Sequence, residues 1–278
     1  MINLTKGIID MHVHSYPDMR ERSHNDLELL EQAKKLEVSG IVIKSHHMPT
    51  VERAWFLNKL QSDVKFFGSM TLNKAVGGLN PFAVNYALEM GAKTIWLPTI
   101  HASNHLKKED KGGGITPLKD GKVKTPLIDI LKLIAERNAI LATGHISPEE
   151  IITVIEEAKK QNVNKIVVTH PEFHIVGMPI ALQRKLAETY HVFFERTYAQ
   201  PIGNGKYKIN LETNLASAKA VGYNSTIIAS DSGQIENPLW KDSINEYIKY
   251  FKDNGVSQQD IDVMTKTNPE KLLGFVNE

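Results

Sequence analysis

The sequence predicts an α/β protein that folds as one closed barrel of eight parallel strands, with a helix after each strand. Eight short apolar runs rich in β-branched and aromatic residues alternate with amphipathic stretches along the 278 residues. These runs recur about every 31 residues, which is the length that one strand, one crossover helix and two loops need. Eight such units need roughly 250 residues, so residues 1–278 are predicted to form a single (β/α)8 barrel domain.

The predicted strands are bounded by glycine, proline or charged residues. An open, doubly wound parallel sheet shows the same alternation and is the alternative to the barrel, although eight units would make such a sheet unusually wide. A distorted barrel is compatible with these runs, since the fourth and fifth are the least regular. In order, the runs are Gly7–His14, Gly40–Lys44, Lys65–Met70, Thr94–Thr99, Ala139–His145, Lys165–His170, His191–Arg196 and Ser225–Asp231.

Local signals support the helices and mark two long connections. Ser147–Glu150 contains the N-cap serine, the N1 proline and the capping-box glutamate of a helix start. Asn25–Val38 is amphipathic, and Thr267–Phe275 predicts a short closing helix. Residues 100–126 and 196–211 form long loops after strands four and seven. In a barrel such loops lie over the catalytic face and shape a pocket; the alternative is surface hairpins without that role.

The composition excludes several classes of protein. The 33 Lys and Arg residues balance the 32 Asp and Glu residues to a formal net charge of +1, which argues against a nucleic-acid-binding surface. The absence of cysteine removes disulfides, thiolate metal sites and cysteine nucleophiles. No stretch reaches the roughly 18 apolar residues of a membrane-spanning helix, and the first residues lead into a strand-like run without the apolar region of a signal peptide. We therefore expect a cytoplasmic protein without a membrane partner; a homo-oligomer formed through outer helices is compatible with this composition.

Two histidines stand at the end of the first predicted strand. His12 and His14 are two residues apart, and side chains two apart on a strand point to the same side. Ordinary core packing does not explain a pair of imidazoles preceded by Ile8, Ile9 and Met11. Because imidazole nitrogens are common metal ligands, this pair predicts a metal site.

Three more strands end in groups of the same chemistry. The fifth ends in His145, the sixth in His170 and the eighth in Asp231. In a barrel these ends meet at one face, where active sites of this fold are assembled. Imidazoles with a carboxylate suit Zn²⁺ or another divalent transition metal better than Ca²⁺. For each residue alone, the alternative is a capped strand end or a hydrogen bond to a ligand residue.

The pattern resembles the amidohydrolase superfamily of metal-dependent hydrolases, and Asn268–Gly274 resembles that family's C-terminal segment. The resemblance implies one or two divalent ions per chain, with zinc expected first and manganese or iron as alternatives. It implies that His145 and His170 are further ligands or, in one-metal members, that His170 is catalytic or hydrogen-bonds to a ligand. It also implies that Asp231 exchanges a proton with the nucleophilic water. The implied metal ligands are His12, His14 and Asp231.

The sequence departs from that family at the fourth strand. Two-metal members bridge their ions there with a carboxylated lysine or a glutamate, whereas this strand ends in Leu97–Thr99. Lys44 ends strand two instead. It is a bridge from an unusual strand, a cation for a substrate anion, or a lysine whose ammonium reaches solvent. His46 and His47 either add ligands, or one contacts substrate and the other is exposed.

Further charged residues near strand ends predict how substrate is bound. Asp18 and Arg20 follow strand one, and Glu195 and Arg196 end strand seven. Arginines near a metal suggest an anionic small-molecule substrate. The predicted function is hydrolysis of a cyclic amide, amide, lactone or phosphoester. The alternatives are a one-metal decarboxylase or hydratase, a trinuclear phosphoesterase that uses the two histidines after Lys44, and a non-catalytic barrel that binds metal or a ligand.

Overall fold

The computed structural model describes residues 4–61 and 63–275. Strands and helices alternate along the chain, so the predicted α/β class is confirmed. The strands, in chain order, are β1 (Ile9–Val13), β2 (Gly40–Ile43), β3 (Lys65–Phe67), β4 (Ser69–Thr71), β5 (Thr94–Trp96), β6 (Leu118–Lys119), β7 (Lys122–Val123), β8 (Ile140–Ala142), β9 (Lys165–Thr169), β10 (Phe193–Thr197), β11 (Ala199–Gly203), β12 (Lys206–Ile209) and β13 (Thr226–Ala229).

The helices begin where the sequence signals predict. Asn25 and Ser147 each close a capping box, in which the cap side chain accepts from a backbone N–H of the first turn and a glutamate side chain accepts from the N–H of the cap residue. The helices are α1 (Asp26–Lys35), α2 (Val51–Leu60), α3 (Pro81–Glu89), α4 (Ser103–Lys108), α5 (Thr125–Glu136), α6 (Pro148–Lys160), α7 (Ile180–Tyr190), α8 (Leu211–Val221), α9 (Trp240–Asp253), α10 (Gln258–Asp262) and α11 (Asn268–Leu273).

One predicted strand is two strands in the structure. The run Lys65–Met70 is interrupted at Gly68, so that β3 ends before this glycine and β4 begins after it. β3 pairs in parallel with β2, whereas β4 pairs in parallel with β5. Glycine adds no side-chain packing to a strand and often marks a break. The prediction of one continuous third strand is therefore wrong.

The chain forms two compact units. The first unit comprises Met1–Lys44, Glu52–Gly68 and Glu195–Glu278. Its strands β1, β2 and β3 form a parallel sheet. The segment after β13 continues beside β1, because the Asp231 N–H donates to the His12 carbonyl (2.9 Å) and the His14 N–H donates to the Ser232 carbonyl (2.8 Å). These two bonds fix the strand ends that carry the predicted metal ligands of this unit.

The core of the first unit is built from the apolar faces of helices and sheet. It includes Leu29 of α1, Ile41 of β2, and Ile244 and Phe251 of α9, all almost fully buried. Burying an aliphatic or aromatic side chain contributes about 1.5–3 kcal/mol to the free energy of unfolding. Ile8 and Val13 belong to the same core, so this packing also fixes the position of β1.

The second unit comprises Ser45–Val51 and Ser69–Phe194. Its strands lie in the order β4, β5, β8 and β9, with each neighbouring pair parallel. The apolar sides of α5 and α6 are buried, including Leu127, Ile130, Ile151 and Val154. Fully covered parallel strands of this kind explain the apolar runs in the sequence.

Both predicted long loops contain a hairpin. In the second unit β6 pairs antiparallel with β7 around the turn at Asp120 and Gly121. In the first unit β11 pairs antiparallel with β12 around Asn204 and Gly205. Among the described residues, no helix combines the length and the apolar character that crossing a membrane requires.

Candidate metal centre

The first unit brings His12, His14 and Asp231 together. Both histidines are fully buried at the end of β1, and Asp231 follows β13 with its backbone in the left-handed region at φ 50°. His12 Nε2 lies 3.0 Å and His14 Nε2 lies 3.2 Å from Asp231 Oδ1. The two Nε2 atoms are 3.3 Å apart. Three donor atoms from two strand ends therefore converge on one point.

The size of this triangle fits a bound metal ion. Ligand atoms that each lie about 2.0–2.1 Å from a divalent ion are separated from one another by roughly 3.0–3.4 Å. The three separations within the first unit fall in this range. The donors are two imidazole nitrogens and a carboxylate oxygen, the chemistry that suits zinc and its neighbours in the first transition row. These residues fit the predicted metal by number, type and spacing.

Glu195 fixes which nitrogen of His12 faces the triangle. Its carboxylate is 2% exposed in the side chain, and Oε2 lies 3.1 Å from His12 Nδ1. A carboxylate only accepts, so Nδ1 carries a proton and donates it to Glu195, which leaves the lone pair on Nε2. Carboxylate–histidine pairs of this kind orient histidine ligands and raise their basicity. The sequence places Glu195 only among charged residues near strand ends and does not reveal this role, although a charged residue directly after two phenylalanines indicates an inward position.

The buried charges near the triangle shift the pKa values of its two histidines in opposite directions. For His12, burial acts to lower the pKa, but the carboxylates of Asp231 and Glu195 outweigh it and raise the pKa above its ordinary value. For His14, burial and the charge of Arg22 hold the pKa well below its ordinary value. The lowered pKa favours the neutral form of His14, which is the form of imidazole that binds metal.

Lys44 lies fully buried at the end of β2. Its backbone N–H donates to the Val13 carbonyl (2.9 Å), which places it next to the end of β1. Burial lowers its pKa to about 8, against the opposing attraction of Asp231 and Glu195. Full burial contradicts the alternative in which the ammonium reaches solvent. The bridging and anion-binding alternatives both stay open.

The loop after β1 separates the two predicted residues Asp18 and Arg20. Arg20 is exposed. The Asp18 carboxylate is instead buried against Arg22, whose Nε and Nη2 both donate to Asp18 Oδ2 at 2.9 and 2.7 Å. The sequence offered no periodic signal to separate two arginines two residues apart in an irregular loop. Arg22 was therefore missed.

Arg196 lies on β10 next to Glu195 and is fully buried. Its Nε donates to Thr226 Oγ1 at 3.4 Å. Successive strand side chains point to opposite sides, so Arg196 points away from the side on which Glu195 meets His12. This position does not support the predicted contact with substrate.

The second unit gathers its own histidines. His145 and His170 are buried with ring centroids 5.4 Å apart, and Phe173 packs against both rings. His170, like Asp231, has a left-handed backbone, at φ 48°. Non-glycine residues with this conformation cluster at functional sites. The predicted roles of these two histidines as further ligands stay predictions.

A chain of hydrogen bonds sets the protonation of His145. Glu109 Oε1 lies 3.4 Å from His105 Nε2, and His105 Nδ1 lies 2.7 Å from His145 Nδ1. With the Nε2 proton of His105 directed at the carboxylate, His105 Nδ1 accepts from His145 Nδ1–H. The lone pair of His145 is then on Nε2. His105 lies on α4, within the connection predicted as a long loop after strand four, and carried no signal in the sequence.

The end of the predicted fourth strand holds a hydroxyl in place of a bridging carboxylate. Thr99 Oγ1 lies 2.9 Å from His46 Nδ1 and accepts from Asn73 Nδ2 at 2.7 Å. His46 is buried by these contacts, while His47 is partly exposed. His46 and His47 therefore differ as candidates for extra metal ligands, because one ring nitrogen of His46 is already hydrogen-bonded to Thr99.

Comparison with known proteins places the chain in a family and a fold. The profile of a family described as "Family of unknown function (DUF6282)" matches residues 7–195, more than half of the chain. No curated protein matches it.

Solved structures share the fold at low sequence identity. An amidohydrolase from Pseudomonas aeruginosa has a TM-score of 0.71 at 12% identity, over 98% of this chain and 96% of that chain. A putative 2-pyrone-4,6-dicarboxylic acid hydrolase from Pseudomonas putida has a TM-score of 0.67 at 13% identity, over 98% and 99%. A 2,6-dihydroxybenzoate decarboxylase from Rhizobium has a TM-score of 0.55 at 10% identity, over 97% and 99%. The likeness to amidohydrolases is thus confirmed at the level of fold.

Proposed function

The chain belongs to the family of unknown function DUF6282, and from its fold and its donor set we propose that it is a metal-dependent hydrolase of amidohydrolase type. The proposed substrate is a small molecule with a cyclic amide, amide, lactone or phosphoester bond. The observation that carries the proposal is the triangle of His12 Nε2, His14 Nε2 and Asp231 Oδ1, with sides of 3.0–3.3 Å. A bound cation would offset the cost of burying the Asp231 carboxylate between two imidazole nitrogens.

The proposed architecture is a single-domain barrel closed by eight parallel strands. Every predicted strand has its counterpart in the structure, with the third divided. The match to the Pseudomonas aeruginosa amidohydrolase extends over 98% of this chain. A fold shared over nearly the whole chain supports a single domain, and barrel closure is the arrangement that would use all eight strands without leaving an exposed edge.

The proposed metal ligands are His12, His14 and Asp231, with His145 and His170 as further ligands by resemblance. We expect zinc first, with manganese or iron as alternatives, and one or two ions per chain. When bound, a divalent ion lowers the pKa of a water molecule towards about 7 and polarises the bond to be cleaved.

The residues of the chain supply the remaining chemistry. Glu195 keeps the Nδ1 proton of His12 in place, so that Nε2 holds its lone pair throughout the reaction. Asp231 receives the proton of the attacking water on its carboxylate and returns it to the leaving group. Gln234 Nε2 donates to Asp231 Oδ1 (3.3 Å) and holds this carboxylate in one orientation. The Lys44 ammonium or His170 stabilises negative charge that develops on the substrate oxygen.

A one-metal decarboxylase is the second candidate. The shared fold with a 2,6-dihydroxybenzoate decarboxylase favours it, and release of carbon dioxide in place of hydrolysis would distinguish it. The trinuclear phosphoesterase receives less support, because His46 Nδ1 is bonded to Thr99. The cytoplasmic location, the homo-oligomer and the absence of nucleic-acid partners stay predictions.

The first test is elemental analysis of the purified protein for metal per chain. We expect about one or two divalent ions in the wild type and none in a His12→Ala/His14→Ala double variant, because two of the three donors in the triangle are removed. A His191→Asn variant is the matched control, since His191 is an exposed helix cap with a left-handed backbone that asparagine also adopts. A wild type that holds no metal after supplementation would contradict the proposal.

A further inference from the structure

We propose that Arg22 forms an oxyanion-binding subsite beside the metal ligands of the first unit, so that the substrate carries a carboxylate or phosphate group. This inference rests on the proposed function, because it names the substrate class of the same site. It assigns the specificity to a residue that lies eight positions after His14, in the loop that follows β1.

The loop that carries Arg22 is fixed against the loop that carries Asp231. Arg22 forms an antiparallel bridge with Gln234, and the Ser23 N–H donates to the Gly233 carbonyl at 3.0 Å. Gln234 in turn donates from Nε2 to Asp231 Oδ1. Gln234 therefore connects the backbone of Arg22 to the carboxylate of the donor triangle, through the bridge on one side and a hydrogen bond on the other.

The guanidinium of Arg22 is fixed by Asp18 but retains N–H groups that can donate to a ligand. Its side chain is 1% exposed, and Asp18 Oδ2 accepts from Nε and Nη2. The other oxygen of Asp18 accepts from the Met19 N–H at 2.7 Å. A guanidinium has five N–H groups. Among the described residues Arg22 makes no further hydrogen bond, so three N–H groups remain for a ligand.

Asp18 acts as the positioning residue of this subsite. An arginine bound on one edge by a buried carboxylate loses little rotational freedom when it binds a second anion on its other edge. The planar fork then matches the two oxygens of a carboxylate or a phosphate.

The balance of charge favours an anionic ligand. The buried charged groups around the triangle in the first unit are the carboxylates of Asp10, Asp18, Glu195 and Asp231 and the cations of Arg22, Lys44 and Arg196. A divalent ion changes this excess of one negative charge into an excess of one positive charge. Excess buried charge is costly in a site of low dielectric constant, and a substrate anion would neutralise it.

The test is calorimetric titration of the metal-loaded protein with two probes, benzoate and inorganic phosphate. We expect the Arg22→Met variant to bind the preferred probe about 10-fold to 100-fold more weakly than the wild type, the loss typical of a hydrogen bond to a charged group. Arg22→Lys should bind with intermediate affinity, because it keeps the charge and loses the fork. Preference for benzoate or for phosphate assigns the anion to a carboxylate or to a phosphate.

Arg184→Met is the matched control, because Arg184 is an exposed arginine on α7 with no predicted role in the site. It should bind both probes as the wild type does. An Asp18→Asn/Arg22→Met double variant removes the buried charge that the single variant leaves behind, so that loss of binding is separated from loss of folding, which thermal unfolding monitors. It should show the same weakened binding as Arg22→Met.

The metal content of every sample separates this inference from the proposed function. If the wild type holds metal and Arg22→Met binds both probes within twofold of it, the subsite is refuted and the metal centre stands. The subsite is equally refuted if neither probe binds the wild type. If the wild type holds no metal, the proposed function fails, while weaker binding that still depends on Arg22 supports the subsite.

Discussion

Glu195 illustrates how a single residue determines the chemistry of its neighbour. Without a carboxylate at Nδ1, the imidazole of His12 could carry its proton on either nitrogen, and the tautomer protonated on Nε2 would present N–H to the triangle. The 3.1 Å contact removes that ambiguity. The pair is fully buried, so water does not compete for the proton.

We therefore predict that Glu195→Gln weakens zinc affinity by about 10-fold to 100-fold, as is typical when a carboxylate partner of a ligand histidine is changed. The glutamine keeps the volume and loses the charge, so the fold should be retained. Competition with a chromophoric chelator measures the affinity. Glu188→Gln on α7 is exposed and serves as the control; equal affinity of the Glu195 variant and this control would refute the role of Glu195.

At the scale of elements, the loop after β13 is built to pass very close to the end of β1. Gly233 has φ 116°, and a Cβ atom on it would lie 1.9 Å from the His14 carbonyl oxygen. This close approach brings Ser232 into hydrogen bonding with His14 and Gln234 next to Arg22. Only glycine meets both the steric and the conformational demand. The distance between the two strand ends that carry the predicted ligands thus depends on a glycine at position 233.

We expect Gly233→Ala to lower the free energy of unfolding by about 2–5 kcal/mol, the sum of the left-handed backbone penalty and the steric overlap. It should also reduce the bound metal, since the backbone of Asp231 shifts with its loop. Gly255→Ala is the control, because Gly255 has φ 83° with no atom within 4 Å of the added Cβ; it should cost only about 1–2 kcal/mol. Urea unfolding measures the free energy of unfolding of both variants. Equal losses would contradict the prediction, since they would show that the backbone at His14 moves away from the added Cβ at little cost.

On the scale of the whole molecule, the two compact units are interleaved in sequence. The chain passes from one to the other between Lys44 and Ser45, Val51 and Glu52, Gly68 and Ser69, and Phe194 and Glu195. The first unit is thus assembled from three separate segments and the second from two. Independent domains usually consist of one continuous segment with its own core.

We predict that the chain unfolds as a single domain, in one cooperative transition, because neither unit could unfold without pulling on chain segments that enter the other. Differential scanning calorimetry should give a calorimetric enthalpy equal to the van't Hoff enthalpy. Two separable transitions would contradict the single-domain prediction, and the His191→Asn protein again provides a folded reference.

The alternation of strands and helices can be predicted from local sequence, because hydrophobic periodicity and helix caps are local. The same is true of His12, His14 and Asp231 as predicted metal ligands, since a polar residue at the end of an apolar strand is visible without any tertiary contact. The division of the third strand at Gly68 was not visible, because a glycine within an apolar run is compatible with either a continuous or a broken strand.

The tertiary structure decided which residues support those ligands. Glu195, Arg22 and His105 act through contacts with residues that are distant in sequence or that lie in irregular loops, where no periodicity indicates which side chain faces inward. Arg20 and Arg22 show the limit clearly, as one is exposed and the other is buried against Asp18. Local sequence encodes which groups end the strands, whereas long-range packing sets their protonation, their partners and the charge around them.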